Sequence, residues 1–284
     1  MGDISAESVR QLREKSGAGI MECKRALAAT GGDLGQAIDY LRKEGVVKAA
    51  KKAGRATAEG LIGVALSPDH QAASVVEINC ETDFVARTDQ FQEFLAAVGE
   101  KIVSARPTDL QTLLQQSFGT STLQGTLTEL IARVGENMSV PRFFLIQAQS
   151  GEVIGTYLHA GSKIGVVVKL SGQGADAFLA RDIAMHAAAM SPTYVDRSQV
   201  PSSVIEREQE IARSSPDIVG KPPQIVEKIL QGKMERFFAE NCLVEQPFVK
   251  DPVSKKSVKQ FLQSKGPQIQ VTQVVRLQVG EENR

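Results

Sequence analysis

The segment spanning residues 74–98 constrains the fold of this chain more than any other stretch. A strand pattern at residues 74–78 leads into the segment 80–89, and a helical apolar pattern follows it. An acidic side chain, Asp83, and a large aromatic one, Phe84, stand together at this junction. Function is common at such turns, because a rigid scaffold presents a few side chains there. The structural alternative is that Thr82 or Asp83 caps the next helix and Phe84 packs in the core.

The composition indicates a folded protein of two or three compact units. The chain has 284 residues, of which 42% are hydrophobic and 23% charged, as in ordinary globular domains. Lys plus Arg and Asp plus Glu both number 33, so no global field attracts nucleic acid or an anionic membrane. Aromatic residues make up 5% and Trp is absent, which disfavours an RNA-stacking surface. We therefore expect neither a membrane nor a direct nucleic-acid partner.

The cysteines and the first residues predict a cytoplasmic protein. Cys23, Cys80 and Cys242 are widely spaced and form no paired motif, which is typical of reduced thiols rather than a metal site. The N-terminus lacks the basic and apolar regions of a signal peptide. No apolar stretch approaches the roughly 20 residues of a membrane span.

Residues 1–54 are predicted to form a three-helix docking module. Ser5 is placed to cap the first helix and Asp33 the third, and Gly45 is placed to end the third. A basic connector follows up to Arg55. The apolar pair Ile20 and Met21 is a candidate contact with a partner, although Met21 could equally pack between the helices.

The rest of the chain predicts an α+β fold made of two related units, each an antiparallel sheet covered by helices. The first unit covers residues 55–140 and the second residues 141–284, with a helical hairpin inserted at about 195–240. An internal repeat supports the pairing, since the strand patterns match at a constant offset of 92 residues. At this offset Asp83 and Phe84 fall on Ala175 and Asp176. The predicted scaffold can therefore be built without the acidic and aromatic pair, which favours a functional role for it.

The sequence carries no recognisable enzyme motif. It lacks a phosphate-binding Gly-rich loop, a nucleophile elbow and a His-Glu-x-x-His pair. Two other readings stay open: a carboxylate-based hydrolase around Glu81 and Asp83, and an RNA- or ribosome-associated protein that uses the basic connector 48–55. His159, near the tip of a predicted hairpin loop, is a further candidate contact.

Six segments span most of the chain: residues 10–13, 17–27, 80–87, 155–159, 183–188 and 246–249. Together, and in this order, they resemble bacterial-type translation elongation factor Ts. The resemblance implies a guanine nucleotide exchange factor for the GTPase elongation factor Tu. It also implies a protein that is not an enzyme and that holds no cofactor, nucleotide or metal of its own.

The resemblance also implies which residues contact the GTPase. Phe84 would act as an apolar wedge, and Asp83 beside it would disturb the Mg²⁺ region of the partner. The other expected contact residues are Thr82, Val85, His159, Arg13, Ile20 and Met21. A homodimer through the helical hairpin is left open.

Overall fold

The structure, a computed structural model, describes residues 4–281 of the chain. The helices in chain order are α1 (Ala6–Ser16), α2 (Ile20–Ala29), α3 (Leu34–Lys52), α4 (Asp83–Ala86), α5 (Asp89–Ala105), α6 (Leu110–Gln115), α7 (Leu123–Val134), α8 (Ala177–Met190), α9 (Ser202–Arg213), α10 (Pro223–Asn241) and α11 (Val258–Lys265). The strands are β1 (Glu59–Leu66), β2 (Ala72–Cys80), β3 (Ser117–Phe118), β4 (Ser121–Thr122), β5 (Met138–Gln147), β6 (Glu152–Leu158), β7 (Ile164–Ser171) and β8 (Gln270–Gln278). Short 3₁₀ turns lie at Arg197–Gln199, Pro216–Ile218 and Leu243–Glu245.

The strands form two three-stranded sheets and one small hairpin, which confirms the α+β prediction. The sheet orders are β1-β2-β5, β3-β4 and β6-β7-β8. β7 pairs antiparallel with both β6 and β8, so the last predicted strand closes the second sheet as expected. Among the described residues, no helix is long and apolar enough to cross a membrane.

The described chain divides into two compact units. Unit 1 contains the residues up to Leu61 together with Val76–Phe143, and unit 2 contains Ile62–Val75 and the residues from Phe144 onward. This division differs from the predicted arrangement of three modules, whose boundaries stay a prediction. The first three residues of the predicted docking module lie outside the described range of the chain.

The N-terminal helices of unit 1 have the predicted caps and their own small core. The Ser8 backbone N–H donates to Ser5 Oγ at 3.0 Å, and the Gln36 N–H donates to Asp33 Oδ1 at 2.8 Å. Each cap satisfies a backbone donor that the first helical turn leaves without a partner. The buried members of this core are Leu12, Cys23, Ala26, Leu27 and Ala37.

The prediction that Gly45 ends the third helix is wrong. α3 continues through Gly45 to Lys52, so most of the predicted basic connector is helical. A methyl group built at Gly45 would lie 3.4 Å from Ala132 Cβ of α7. α7 therefore lies against α3 at this position, and this tertiary contact outweighs the low helix propensity of glycine.

The strand that follows α7 belongs to the first sheet rather than to the predicted second unit. β5 includes Pro141, the residue at which the second unit was predicted to begin. β5 lies at an edge of the order β1-β2-β5, where a proline with no N–H to donate is tolerated.

In unit 2, α8 packs directly on the second sheet at a glycine. A methyl group at Gly155 of β6 would lie 2.3 Å from the backbone nitrogen of Arg181, so no larger residue fits between strand and helix. The buried core around this contact includes Val166, Val168, Leu170, Ile183, Ala184 and Ala187. The predicted helical hairpin is confirmed as α9 and α10.

Candidate functional site: the exposed turn after β2

The turn after β2 is held by a chain of local caps. Thr82 is the N-cap of α4, and its hydroxyl accepts the Val85 N–H at 3.4 Å. Of the two caps that the sequence left open, Thr82 and Asp83, the structure has Thr82. Thr88 in turn caps α5 through the Phe91 N–H at 3.3 Å. The Cys80 thiol lies 3.1 Å from the Thr82 carbonyl oxygen. These contacts fix the backbone on both sides of α4.

Phe84 projects from this turn into solvent. Its side chain is 79% exposed, so the alternative that it packs in the core is wrong. Val85 and Ala86, the next two residues, are buried. α4 therefore has an inner face that anchors it and an outer face formed by Phe84. The predicted contact role of Val85 is not compatible with its burial, because its side chain already packs inside unit 1.

The two acidic residues of the turn have different partners. Asp83 pairs with Arg87 one helical turn later, with 2.8 Å between Oδ2 and Nη2. Glu81 accepts the Asn137 backbone N–H at 2.6 Å and lies 3.5 Å from the Arg55 guanidinium. Paired general acid–base chemistry needs two carboxylates aimed at one reacting group. Separate partners therefore argue against the hydrolase alternative.

A second candidate surface lies on the N-terminal helices of unit 1. Ile20 and Met21, at the start of α2, are 55% and 68% exposed, so Met21 does not pack between the helices. Arg13, near the end of α1, is also exposed.

A charged pair lies beside this surface. The Lys48 ammonium donates to the Glu22 carboxylate. This hydrogen bond lowers the pKa of Glu22 against the opposing effect of partial burial.

His159 lies in unit 2, in the turn between β6 and β7. Its side chain is exposed, and its Nδ1 lies 3.1 Å from the Tyr157 hydroxyl. Its carbonyl oxygen accepts the Ser162 N–H at 2.9 Å. The turn is thus ordered by backbone bonds while the imidazole stays accessible.

A residue that the sequence interpretation missed is Phe178 of unit 2. Asp176 caps α8 as Thr82 caps α4, so alignment by the caps pairs Phe84 with Phe178. Phe178 is 80% exposed. The offset of 92 therefore placed Phe84 two residues early, and the inference that the second unit lacks an aromatic residue there is wrong.

Two further missed residues, Glu136 and Asn137, contact the turn directly. The Glu136 carboxylate accepts both the backbone N–H and the hydroxyl of Thr82, at 3.0 and 2.6 Å. Asn137 donates its N–H to Glu81. No local pattern could identify them, because they lie more than 50 positions away along the chain.

The family-like segments at 183–188 and 246–249 meet inside unit 2. His186 is fully buried, and its Nδ1 accepts the Val249 backbone N–H at 3.2 Å. The ring proton therefore resides on Nε2, which donates to Gln246 Oε1 at 3.0 Å. Burial lowers the pKa of His186, and the bond to Gln246 opposes this only in part.

Fold and site together define an α+β protein with a short, anchored turn that exposes one aromatic side chain. Within residues 4–281, no group of three or more His, Cys, Asp or Glu side chains could hold a metal ion. The family model described as elongation factor TS matches residues 81–281. The chain belongs to the elongation factor Ts family.

Curated relatives cover nearly the whole chain. Elongation factor Ts of Thioalkalivibrio sulfidiphilus is 46% identical over 278 residues, which are 98% of this chain and 92% of the relative. The protein of the same name from Prosthecochloris aestuarii is 42% identical, over 99% of this chain and 100% of the relative. That from Arthrospira platensis is 49% identical, over 88% of this chain and 100% of the relative.

Proposed function

We propose that this chain is a guanine nucleotide exchange factor for the GTPase elongation factor Tu. It acts by binding and not by covalent chemistry. Such a factor lowers the affinity of the GTPase for GDP because it binds the nucleotide-free form more tightly, and this coupling is reciprocal. Family membership supports this role, and the exposed turn after β2 supplies the contact.

The observation that carries the proposal is the exposure of Phe84 on a fixed backbone. A large aromatic side chain in water forgoes the favourable burial of its apolar surface. Val85 and Ala86 anchor the turn from inside, so Phe84 would insert into the GTPase as a rigid wedge with little loss of conformational entropy.

Asp83 adds a negative charge beside the wedge. GDP is held by phosphate contacts and by a Mg²⁺ ion, so release requires that both be disturbed. Arg87 holds the Asp83 carboxylate on the surface of α4. In the complex this carboxylate would lie near the Mg²⁺ region of the GTPase and weaken retention of the metal.

His159 and the N-terminal surface supply additional contacts. His159 would contact the GTPase from the β6–β7 turn. Arg13, Ile20 and Met21 would contact it through one cation and two exposed apolar side chains. Exposed apolar residues of this kind are the usual anchors of an interface.

The RNA-binding alternative is disfavoured by the ion pairs of the basic segment. Lys48 is paired with Glu22, and Arg55 with Glu81. Both acidic partners offset the positive charge that a phosphate backbone would require.

The test is release of a fluorescent GDP analogue from purified elongation factor Tu. Substoichiometric amounts of this chain should accelerate release through many turnovers, and excess unlabelled GDP traps the empty GTPase. Unaccelerated release with a well-folded chain, across a range of Mg²⁺ concentrations, would overturn the proposal. A matched RNA-binding titration at two salt concentrations examines the alternative.

A further inference from the structure

The C-terminal end of α7 and the exposed turn exchange hydrogen bonds in a reciprocal pattern. α7 ends at Val134, and its C-cap, Gly135, adopts the left-handed conformation with φ of 88°. The next residue, Glu136, accepts the Thr82 backbone N–H at 3.0 Å through Oε2 and the Thr82 hydroxyl at 2.6 Å through Oε1. Both oxygens of one carboxylate thus bind both donors of one residue.

The second half of the pattern runs in the opposite direction. Glu81 Oε1 accepts the Asn137 backbone N–H at 2.6 Å. Asn137 is buried, and its side-chain amide donates to the Arg55 carbonyl oxygen at 2.8 Å. Each segment therefore gives one glutamate to a backbone N–H of the other. Two crossed contacts of this kind fix the turn against both translation and rotation.

The two roles of Thr82 are compatible because they use different parts of its hydroxyl. The hydroxyl hydrogen is donated to Glu136, while an oxygen lone pair accepts the Val85 N–H. Glu136 consequently orients the group that caps α4. Hydrogen bonds to an ionised carboxylate are shorter and stronger than neutral ones.

α4 depends on this support because it is too short to keep its own direction. It contains four residues, and helices of this length are not stable on their own. Phe84 is exposed and receives little packing from its surroundings. The direction in which Phe84 points is therefore set by the cap at Thr82, the buried Val85 and the carboxylate that holds Thr82.

We infer that Glu136 is a positioning residue for nucleotide exchange, which acts through Thr82 to hold Asp83 and Phe84 in the orientation that engages the GTPase. This inference rests on the proposed exchange function. It predicts that loss of the Glu136 carboxylate impairs exchange without removing any side chain that touches the partner.

The test is a double-mutant cycle on GDP release from elongation factor Tu. Glu136→Gln should lower kcat/KM of exchange about three- to tenfold, since one charged acceptor is lost. In a Phe84→Ala background the same change should lower kcat/KM by a clearly smaller factor, because only Asp83 is then left to position. Thr82→Val removes the hydroxyl that Glu136 accepts and keeps the backbone N–H, so it should lower exchange as Glu136→Gln does.

The matched control is Glu129→Gln on α7 itself. Glu129 pairs with Arg42 at 3.3 Å on a partly exposed surface, so its loss should leave exchange unchanged. A melting temperature for every variant separates loss of fold from loss of position. If Glu136→Gln lowered kcat/KM of exchange by the same factor in the wild-type and Phe84→Ala backgrounds, the inference would be overturned. Full activity of Glu136→Gln would also overturn it.

A second readout needs no GTPase. Hydrogen exchange at the Thr82 amide of the full chain should be faster in Glu136→Gln than in wild type and unchanged in Glu129→Gln. Equal protection of the Thr82 amide in all three proteins would overturn the inference that Glu136 holds Thr82. A different outcome would separate this inference from the proposed function: protection of the Thr82 amide falls as expected, but Phe84→Ala accelerates GDP release as wild type does. In that case Phe84 is not a wedge and Glu136 has no positioning role in exchange. The contact between Glu136 and Thr82 would then be structural only.

Discussion

Phe84 and Phe178 occupy the same position in their helices, two residues after the N-cap that follows the middle strand of a three-stranded sheet. They are 79% and 80% exposed. α8, the corresponding helix of unit 2, has 14 residues and needs no supporting contact of the kind that Glu136 makes, whereas α4 has four residues. Phe178 thus provides an internal control for the loss of an exposed aromatic side chain.

Phe84→Ala should abolish most of the exchange activity. Truncation of an interface anchor costs about 2 kcal/mol or more, which is about thirtyfold in affinity. Because Phe84 is exposed, the melting temperature should hardly change. The measurements are the rate of GDP release from the GTPase and the melting temperature of each variant. Phe178→Ala is the control and should accelerate GDP release as wild type does. A large loss of stability with normal activity per folded molecule would assign Phe84 to the core instead.

Asp83→Asn should change how exchange depends on Mg²⁺. If the carboxylate acts on the metal region, the GTPase should release GDP more slowly with the variant than with wild type. This rate of GDP release should also depend less on the Mg²⁺ concentration. Since Thr82 and not Asp83 caps α4, the asparagine should cost little stability. Release rates across a Mg²⁺ titration provide the measurement.

Arg87→Gln is the matched control for Asp83, because it breaks the same ion pair but keeps the carboxylate. It should retain the Mg²⁺ dependence of wild type. Identical titration curves for Asp83→Asn and wild type would leave Asp83 a surface residue of α4 and nothing more.

Ile20→Ser combined with Met21→Ser should weaken binding of the GTPase. If the two side chains serve only to dock the GTPase, their loss should raise KM and leave kcat unchanged. Val253→Ser removes another exposed apolar side chain, in unit 2, and serves as control. A selective fall in kcat would place the N-terminal surface in the release step and contradict a docking role.

His159→Ala should reduce exchange several-fold, and Tyr157→Phe should have a smaller effect. The Tyr157 hydroxyl orients the imidazole through Nδ1, so its removal loosens the ring but leaves it in place. Steady-state rates of GDP release with the two variants show which substitution has the larger effect. A greater loss in Tyr157→Phe would show that the hydroxyl, and not the imidazole, makes the contact.

His186 should make the fold sensitive to mild acid. Its pKa is lowered by burial in the folded state, whereas the unfolded chain has the ordinary value of about 6.5. As the pH falls below that value, the unfolded chain gains a proton that the folded one does not, so the free energy of unfolding decreases until the lowered pKa is reached.

Melting temperatures between about pH 7.5 and 5.5 test this expectation for His186. The decrease should be smaller in His186→Gln than in wild type, whatever the stability of the variant at neutral pH. Parallel slopes in wild type and His186→Gln would contradict a buried neutral His186.

Local signals predicted most of the helices, strands and caps. Ser5 and Asp33 cap where the sequence places them, and Thr82 is one of the two caps that it left open. Caps are predictable because a cap depends on neighbours within three residues. The helical hairpin and the last strand were likewise predictable from their apolar periodicity.

The errors arose where distant contacts decide the structure. Gly45 stays helical because α7 lies against it, and Pro141 stays in a strand because that strand is an edge. The exposure of Phe84 and its link to Glu136 depend on packing between segments that are far apart in the chain. A pattern within one segment cannot report such contacts.

The Thr82–Glu136 contact also determines when the turn can form during synthesis. The two residues are 54 positions apart, so the ribosome makes the strand, the turn and α5 well before the glutamate that holds them. While α7 and Glu136 are still inside the exit tunnel of the ribosome, the Glu136 carboxylate cannot hold Thr82. The surface proposed to engage the GTPase is therefore completed late, after the whole of unit 1 up to β5 has emerged.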